Sequence, residues 1–178
     1  MATLPRPDEI TELLKSARSI AVVGLSDSPL RPSHGVSAYM QTQGYRIIPV
    51  NPNIREALGE KAYPSLLEVP EKIDIVNIFR RSEFVPGIVE QAIQLKVPAI
   101  WMQEGVTHPA AAEKARKAGI LLIMDSCILQ EHKSRFYKPV CCGQACPPTS
   151  GIDHDHRRVV VQSSPIGKLT NIIQNALH

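Results

Sequence analysis

Short apolar runs alternate along the chain with segments of helical periodicity, and this alternation restricts the possible folds more than any other feature. The apolar runs lie at residues 19–24, 46–50, 73–79, 98–102 and 120–124. Runs of this length without polar alternation are typical of strands buried on both faces of a parallel sheet. The sequence therefore predicts an α/β fold, a doubly wound, Rossmann-like sheet of about five parallel strands with helices on both faces.

Helices are predicted before the first strand and between the later ones, from apolar residues spaced three and four positions apart. The predicted helices cover residues 8–18, 33–43, 82–93 and 107–119. Ser82 and Thr107 are the predicted N-caps of the last two, because hydroxyl oxygens accept hydrogen bonds from the free N–H groups of a first helical turn.

The chain changes character near residue 139, which predicts two parts: a ligand-binding domain over residues 1–138 and a C-terminal tail over residues 139–178. Cysteines and prolines crowd residues 141–148, as in a linker. A β-prone run at 159–161 and an apolar stripe at 164–177 predict a short strand and an amphipathic helix. This stripe can dock on the domain or on a second copy, so a homodimer is one predicted assembly.

Charge and composition restrict the partners. The 178 residues carry a net charge of +3, with 43% hydrophobic and 21% charged residues. This weak positive charge suits an anionic small molecule, whereas nucleic-acid binding needs a clustered basic face. The first residues lack the features of a signal peptide, no apolar run approaches the roughly 20 residues of a membrane span, and four cysteines are too few for a secreted disulfide framework. A cytoplasmic protein without a membrane or nucleic-acid partner is predicted.

The loop after the first predicted strand is the first candidate ligand site, because ligands of open α/β sheets bind beyond the carboxyl ends of the strands. Gly24 opens this loop and permits close approach to the backbone, although a glycine here also fits a purely structural turn. The loop does not match the NAD fingerprint, since Ser26 replaces its second glycine and Asn51, rather than an acidic residue, follows the second strand.

Arginines near the same strand ends favour a phosphorylated ligand. Arg31, Arg80 and Arg81 follow predicted strands, and guanidinium groups bind phosphate through paired hydrogen bonds. The alternative interpretation is that each arginine is an ordinary solvated surface residue. This alternative is less convincing for Arg80 and Arg81, which are adjacent and directly follow a buried strand.

Taken together, the loops resemble those of small stand-alone CoA-binding domain proteins, which are similar to the CoA-binding domain of the succinyl-CoA synthetase alpha subunit. The resemblance covers roughly residues 10–138 and rests on segments 21–26, 31–33, 44–52, 74–82, 101–106 and 124–127. It implies that the ligand is coenzyme A or an acyl-CoA. It also implies which residues bind each part of CoA, and Arg31 and Ser33 belong to this implied site. The residues are Gly24, Leu25 and Ser26 at the pyrophosphate, Val50, Asn51 and Pro52 at the adenosine, Phe79, Arg80 and Arg81 beside the nucleotide, and Gln103, Glu104 and Gly105 along the pantetheine.

The predicted function is that of a CoA-binding carrier or sensing module without catalysis of its own, so no catalytic residue is assigned. The resemblance implies that a ligase would need a phosphorylated histidine outside this domain and a partner subunit. His34 and His108, near predicted helix starts, are interpreted as ordinary polar residues. An NAD(P)-dependent oxidoreductase and an acyl-CoA ligase subunit that needs a partner remain the alternatives.

The cysteines raise two further hypotheses. Cys127 follows the last predicted strand at the ligand edge, where it could form a mixed disulfide with CoA and make the protein a thiol-redox regulator. The competing interpretation, which we favour, is a small buried hydrophobic residue. The tail contains further soft metal ligands, namely Cys141, Cys142, Cys146, His154 and His156. Their spacing does not match structural zinc sites, so no metal is predicted.

Overall fold

Five parallel strands form the central sheet. The structure is a computed structural model that describes residues 6–137, so the predictions for the tail lie outside the described residues. The strands are β1 (Ser19–Val23), β2 (Arg46–Val50), β3 (Glu56–Ala57), β4 (Glu60–Lys61), β5 (Ile75–Ile78), β6 (Ala99–Met102) and β7 (Leu121–Ile123). β3 and β4 make a small antiparallel hairpin, and the other five make a sheet in the order β2-β1-β5-β6-β7. All pairings in that sheet are parallel, which confirms the predicted fold class.

Helices cover both faces of this sheet. They are α1 (Pro7–Ser16), α2 (Pro32–Thr42), α3 (Val85–Gln94), α4 (Pro109–Lys117) and α5 (Ile128–Phe136), with single 3₁₀ turns at Leu66–Glu68 and Ser82–Phe84. Strand residues such as Val23 and Ile78 pack with α3 and α4 in one buried cluster, while Val22 and Ile75 pack with α1, α2 and α5 in another. Because successive strand residues point to opposite faces, strands buried on both sides read as continuous apolar runs.

The strand order creates a crevice at the carboxyl ends of β1 and β5. From β1 the chain runs to β2 on one side, and it later returns to β5 on the other side. Connections that leave in opposite directions open a gap at this switch point, which is where open α/β sheets bind their ligands. Backbone hydrogen bonds continue the sheet just past the strand ends, from Gly24 N to Val50 O (2.9 Å) and from Phe79 N to Val23 O (2.9 Å).

Both predicted N-caps are wrong. Ser82 begins a 3₁₀ turn instead of capping α3, whose N-cap is Phe84. The hydroxyl of Ser82 accepts a hydrogen bond from the backbone N–H of Thr107 (3.1 Å), so the two predicted caps join neighbouring loops. The N-cap of α4 is His108, whose Nδ1 accepts a hydrogen bond from the N–H of Ala111 (3.1 Å). This agrees with the interpretation of His108 as an ordinary polar residue.

Two elements were not predicted, the β3–β4 hairpin and helix α5. The hairpin turn has positive φ at both Leu58 (55°) and Gly59 (76°). Tight hairpin turns of this kind normally carry Asn or Asp at the first position, and leucine hides the pattern. Helix α5 buries only Ile128 and His132, so its apolar stripe is weak. Within the described residues, no helix combines the length and the apolar character needed to cross a membrane.

Candidate functional site

Gly24 lies where the loops after β1 and β5 come closest. Its φ is +88°, and a Cβ added there would lie 2.7 Å from the carbonyl oxygen of Phe79 and 2.8 Å from Cδ of Arg80. Both the backbone conformation and the missing side chain are therefore needed. The glycine has a structural role at the crevice, since it lets the two loops pack against each other at the switch point.

The loop that follows Gly24 is held by hydrogen bonds from two other elements. The carbonyl of Leu25 accepts a hydrogen bond from Nδ2 of Asn51 (2.8 Å), and Oδ1 of Asn51 accepts one from the N–H of Asn53 (3.0 Å). The N–H of Ser26 donates to Oγ of the buried Ser33 in α2 (3.2 Å). Asn51 and Ser33 therefore position the loop, because their polar side-chain atoms already have protein partners.

A cavity of about 240 Å³ lies beside α3 and is lined by five of the predicted nucleotide residues. We call it the α3 cavity. Its predicted lining residues are Gly24, Val50, Asn51, Pro52 and Arg80; its other lining residues are Val23, Pro64, Ser65, Leu66, Phe84, Gly87, Ile88 and Gln91. Most of these residues are apolar, and the polar side chains are those of Asn51, Ser65, Arg80 and Gln91. Oε1 of Gln91 accepts a hydrogen bond from the N–H of Leu66 (3.2 Å), which ties α3 to the opposite wall.

The two adjacent arginines have different surroundings. Arg80 lines the α3 cavity, with its guanidinium carbon 4.8 Å from the centre of the Phe84 ring. The Arg81 side chain is 87% exposed, approaches Glu83 at 4.0 Å and lines neither of the cavities described here. A cation held on an aromatic face has fewer accessible rotamers, so Arg80 is the better prepared to meet an anion.

A second cavity, of about 470 Å³, lies beside α2. We call it the α2 cavity. Its lining consists of Pro32, Val36, Phe79, Gln103, Glu104, Val106 and Cys127. Helices α2 and α3 pack on opposite faces of the sheet. Phe79 and Arg80 are adjacent in the chain but line different cavities, so the loop after β5 forms part of both walls.

Gln103 is the buried polar residue of the α2 cavity. Its side chain is 4% exposed, and Nε2 donates a hydrogen bond to Oδ1 of the buried Asn77 (2.8 Å). Its other polar atom, Oε1, accepts no hydrogen bond from residues 6–137 and is not fully buried. Gly105 has a positive φ of 78° outside this lining, and its N–H donates to Oδ1 of Asp125 (2.8 Å).

Cys127 is not the fully buried hydrophobic residue that we favoured. It is half-buried, lines the α2 cavity and stands at the N-cap position of α5, where its side chain makes no capping hydrogen bond. The reason lies in the fold, because β7 ends at Ile123 and the three loop residues 124–126 carry Cys127 out of the core.

The structure thus brings together some of the predicted residues and leaves others outside both linings. Those outside are Leu25, Ser26, Arg31, Ser33, Arg81 and Gly105. Sequence reasoning missed the wall formed by residues 64–66, where no periodic pattern exists, and Pro32, Val36 and Val106 of the α2 cavity. The sequence predicted the apolar stripe of α3, but it did not predict that Ile88 in this stripe lines a cavity. In residues 6–137, no three histidine, cysteine or acidic side chains form a group that could hold a metal ion.

This chain is similar to one relative of known sequence and to a protein of known structure. The uncharacterized protein YneT of Bacillus subtilis is 50% identical over 128 residues, which cover 72% of this chain and 95% of YneT. The solved structure of a hypothetical protein from Pyrococcus horikoshii OT3 matches with a TM-score of 0.71 and 35% identity, over 75% of this chain and 97% of that one.

A third similarity is confined to part of a larger protein. Acetate–CoA ligase (ADP-forming) II of Archaeoglobus fulgidus is 32% identical over 79 residues, which cover 43% of this chain but only 12% of the ligase. A family model described as a CoA binding domain matches residues 18–133, a range that contains the whole sheet and every lining residue of both cavities. The chain therefore belongs to the CoA binding domain family.

Proposed function

We propose that the chain binds coenzyme A across the carboxyl edge of its sheet, with the adenosine end in the α3 cavity and the pantetheine arm in the α2 cavity. The observation that carries this proposal is the position of Phe79 and Arg80, which are adjacent in the chain, whereas the two cavities that they line lie beside helices packed on opposite faces of the sheet. A long ligand with a different chemical group at each end can place one end in each cavity and cross the carboxyl edge of the sheet between them.

The chemistry of each cavity supports this orientation. The α3 cavity offers apolar surfaces from Val50, Pro52 and Ile88 to a flat base, and Arg80 to a phosphate. Its volume of about 240 Å³ is below the few hundred Å³ typical of complete ligand sites, so it suits one end of a ligand. The α2 cavity offers mainly apolar walls to the pantetheine chain and the carboxamide of Gln103 to its amides.

The proposed role is to carry or sense the cofactor, either free or as an acyl thioester, without catalysis by this chain alone. Among the residues of the two linings, the groups capable of nucleophilic or acid–base chemistry are the Cys127 thiol, the Glu104 carboxylate and the Ser65 hydroxyl, which donates a hydrogen bond to Oε1 of Glu68 (3.2 Å). A binding module needs no more than shape, apolar surface and a charge for the phosphates.

Calorimetry under reducing conditions tests the proposal, with CoA, dephospho-CoA, NAD and NADP as ligands. We expect CoA to bind most tightly. We also expect Arg80→Ala to weaken CoA binding about 10-fold, as for a lost charge-assisted hydrogen bond. The matched variant Arg81→Ala should change the affinity for CoA by less than about twofold, because ion pairs between solvent-exposed groups contribute little free energy. Tighter binding of NAD or NADP would instead support an oxidoreductase.

A second candidate function is that of a ligase subunit that acts with a partner, and the similarity to the Archaeoglobus acetate–CoA ligase favours it. The purified chain with acetate, ATP and CoA is expected to form no acetyl-CoA. Formation of acetyl-CoA by the chain alone would contradict the carrier role and make the protein an enzyme in its own right.

A further inference from the structure

We propose that Cys127 captures coenzyme A in a reversible mixed disulfide inside the α2 cavity, which makes retention of the ligand depend on the thiol redox state. This inference rests on the proposed function, since it requires the pantetheine arm to enter this cavity. It adds a covalent step and a regulatory role that binding alone does not imply.

The Cys127 sulfur is available for such a reaction. The residue is half-buried, lines the cavity and makes no side-chain hydrogen bond to the first turn of α5. A fully buried thiol would be inaccessible to a disulfide, and a fully exposed one would meet every thiol in solution equally. A thiol in the wall of a ligand cavity reacts preferentially with whatever the cavity holds.

Gln103 supplies independent evidence for the kind of ligand in this cavity. Its side chain is 96% buried, yet its carboxamide oxygen accepts no hydrogen bond from the described residues. This oxygen is not fully buried, so it can accept a hydrogen bond from a group inside the cavity. Four of the other lining residues, Pro32, Val36, Phe79 and Val106, have apolar side chains and offer no competing side-chain donor. The pantetheine arm carries amide N–H groups, and its thiol lies at the end beyond them.

The reaction is a thiol–disulfide exchange with CoA disulfide as the oxidant. The Cys127 thiolate attacks one sulfur of CoA disulfide, a protein–CoA S–S bond forms, and the S–S bond between the two CoA molecules breaks. The departing CoA thiolate takes up one proton, which balances the proton that Cys127 lost when its thiolate formed. One CoA thiol is thus released for each protein thiol modified, and a small thiol reductant reverses the step.

Intact-protein mass spectrometry tests this with a variant that keeps Cys127 as its one cysteine, made by replacing Cys141, Cys142 and Cys146 with serine. After treatment with CoA disulfide we expect a mass gain of one CoA less two hydrogen atoms, removed by dithiothreitol. The rate should exceed that with oxidised glutathione by about 10-fold or more, because binding raises the local ligand concentration. Cys127→Ser in the otherwise unchanged chain should lose the adduct at this position in peptide mapping.

The outcomes separate the two proposals. Calorimetry of the same single-cysteine variant with CoA and reductant reports reversible binding without any disulfide. Reversible binding without an adduct, or an adduct formed equally fast with oxidised glutathione, would overturn the capture of CoA by Cys127 and leave the proposed function standing. The absence of reversible CoA binding would overturn the proposed function itself. Gln103→Leu offers a second readout, since it should slow capture from CoA disulfide more than reaction with oxidised glutathione.

Discussion

Gly24 is the residue on which the geometry of the ligand edge depends most directly. We expect Gly24→Ala to lower the free energy of unfolding by about 1–2 kcal/mol or more, because its φ of +88° is strained for alanine and the new Cβ meets the Phe79 carbonyl at 2.7 Å. CoA affinity should fall about 10-fold as the two loops separate. Urea unfolding and calorimetry measure the two effects.

Gly35 provides the matched control. It lies in α2 without a positive φ, and an added Cβ there meets no atom within 4 Å. Gly35→Ala should therefore raise the free energy of unfolding by about 0.5–1 kcal/mol, as expected for a glycine inside a helix. Native-like CoA affinity in Gly24→Ala would show that the crevice does not depend on this close approach.

Two serines one turn apart in α2 make opposite contributions. Ser37 is 1% exposed and its Oγ has no hydrogen-bond partner among the described residues, so Ser37→Ala should raise the free energy of unfolding by about 1 kcal/mol. Ser33 is also buried, but its Oγ accepts a hydrogen bond from the N–H of Ser26. Ser33→Ala should lower stability by about 1 kcal/mol. A loss of stability in both variants, measured by urea unfolding, would indicate that Ser37 has a partner.

At the scale of elements, helix α5 is held to α2 and to the residue just before β2 by an aromatic cluster around His132. The His132 ring lies 5.7 Å from the ring of Tyr39, 5.8 Å from that of Tyr45 and 4.7 Å from that of Phe136, measured between centroids. The Tyr39 hydroxyl and Nδ1 of His132 are hydrogen bonded at 3.1 Å. Because Cys127 stands at the other end of this helix, the cluster also holds one wall of the α2 cavity in place.

Burial lowers the pKa of His132 below its ordinary value of 6.5. The unfolded chain then binds the proton more tightly than the folded protein, so stability rises with pH between the folded and the unfolded pKa. The contribution is complete above pH 6.5 and is lost as the pH falls toward the lowered pKa. We expect urea unfolding to show a decrease in stability on acidification below about pH 6.5 that is smaller in His132→Phe. Tyr39→Phe should keep this pH dependence, because it leaves the histidine buried.

Local sequence patterns predicted most elements, but only some of their termini. The second strand was predicted over residues 46–50, which are the bounds of β2. The caps at Ser82 and Thr107 were wrong because a hydroxyl beside an apolar stripe indicates only a nearby helix start. Which group accepts the free N–H depends on the path of the loops, and here His108 accepts it while Ser82 accepts a hydrogen bond from Thr107.

At the scale of the whole molecule, the division at residue 138 remains a prediction. A fragment that ends there should unfold cooperatively and bind CoA with an affinity within about twofold of the full chain's, because both buried clusters and both cavities lie in residues 6–137. Urea unfolding followed by circular dichroism, together with calorimetry, measures this. A large loss of affinity in the fragment would show that residues 139–178 contribute to the site.

The sequence by itself determined the five strands of the sheet, the first four helices and the edge of the sheet at which the ligand-binding loops meet. Apolar runs and helical stripes are local patterns, and parallel strands always bring their carboxyl ends to one edge, so Gly24, Asn51, Arg80 and Gln103 were expected there. Only the tertiary structure decided which cavity each of these side chains lines, and which side chains remain in solvent. Strand order and loop path place Arg80 in the α3 cavity, leave Arg81 in solvent and turn Cys127 into the α2 cavity. These outcomes depend on contacts between residues far apart in the chain, which no local pattern encodes.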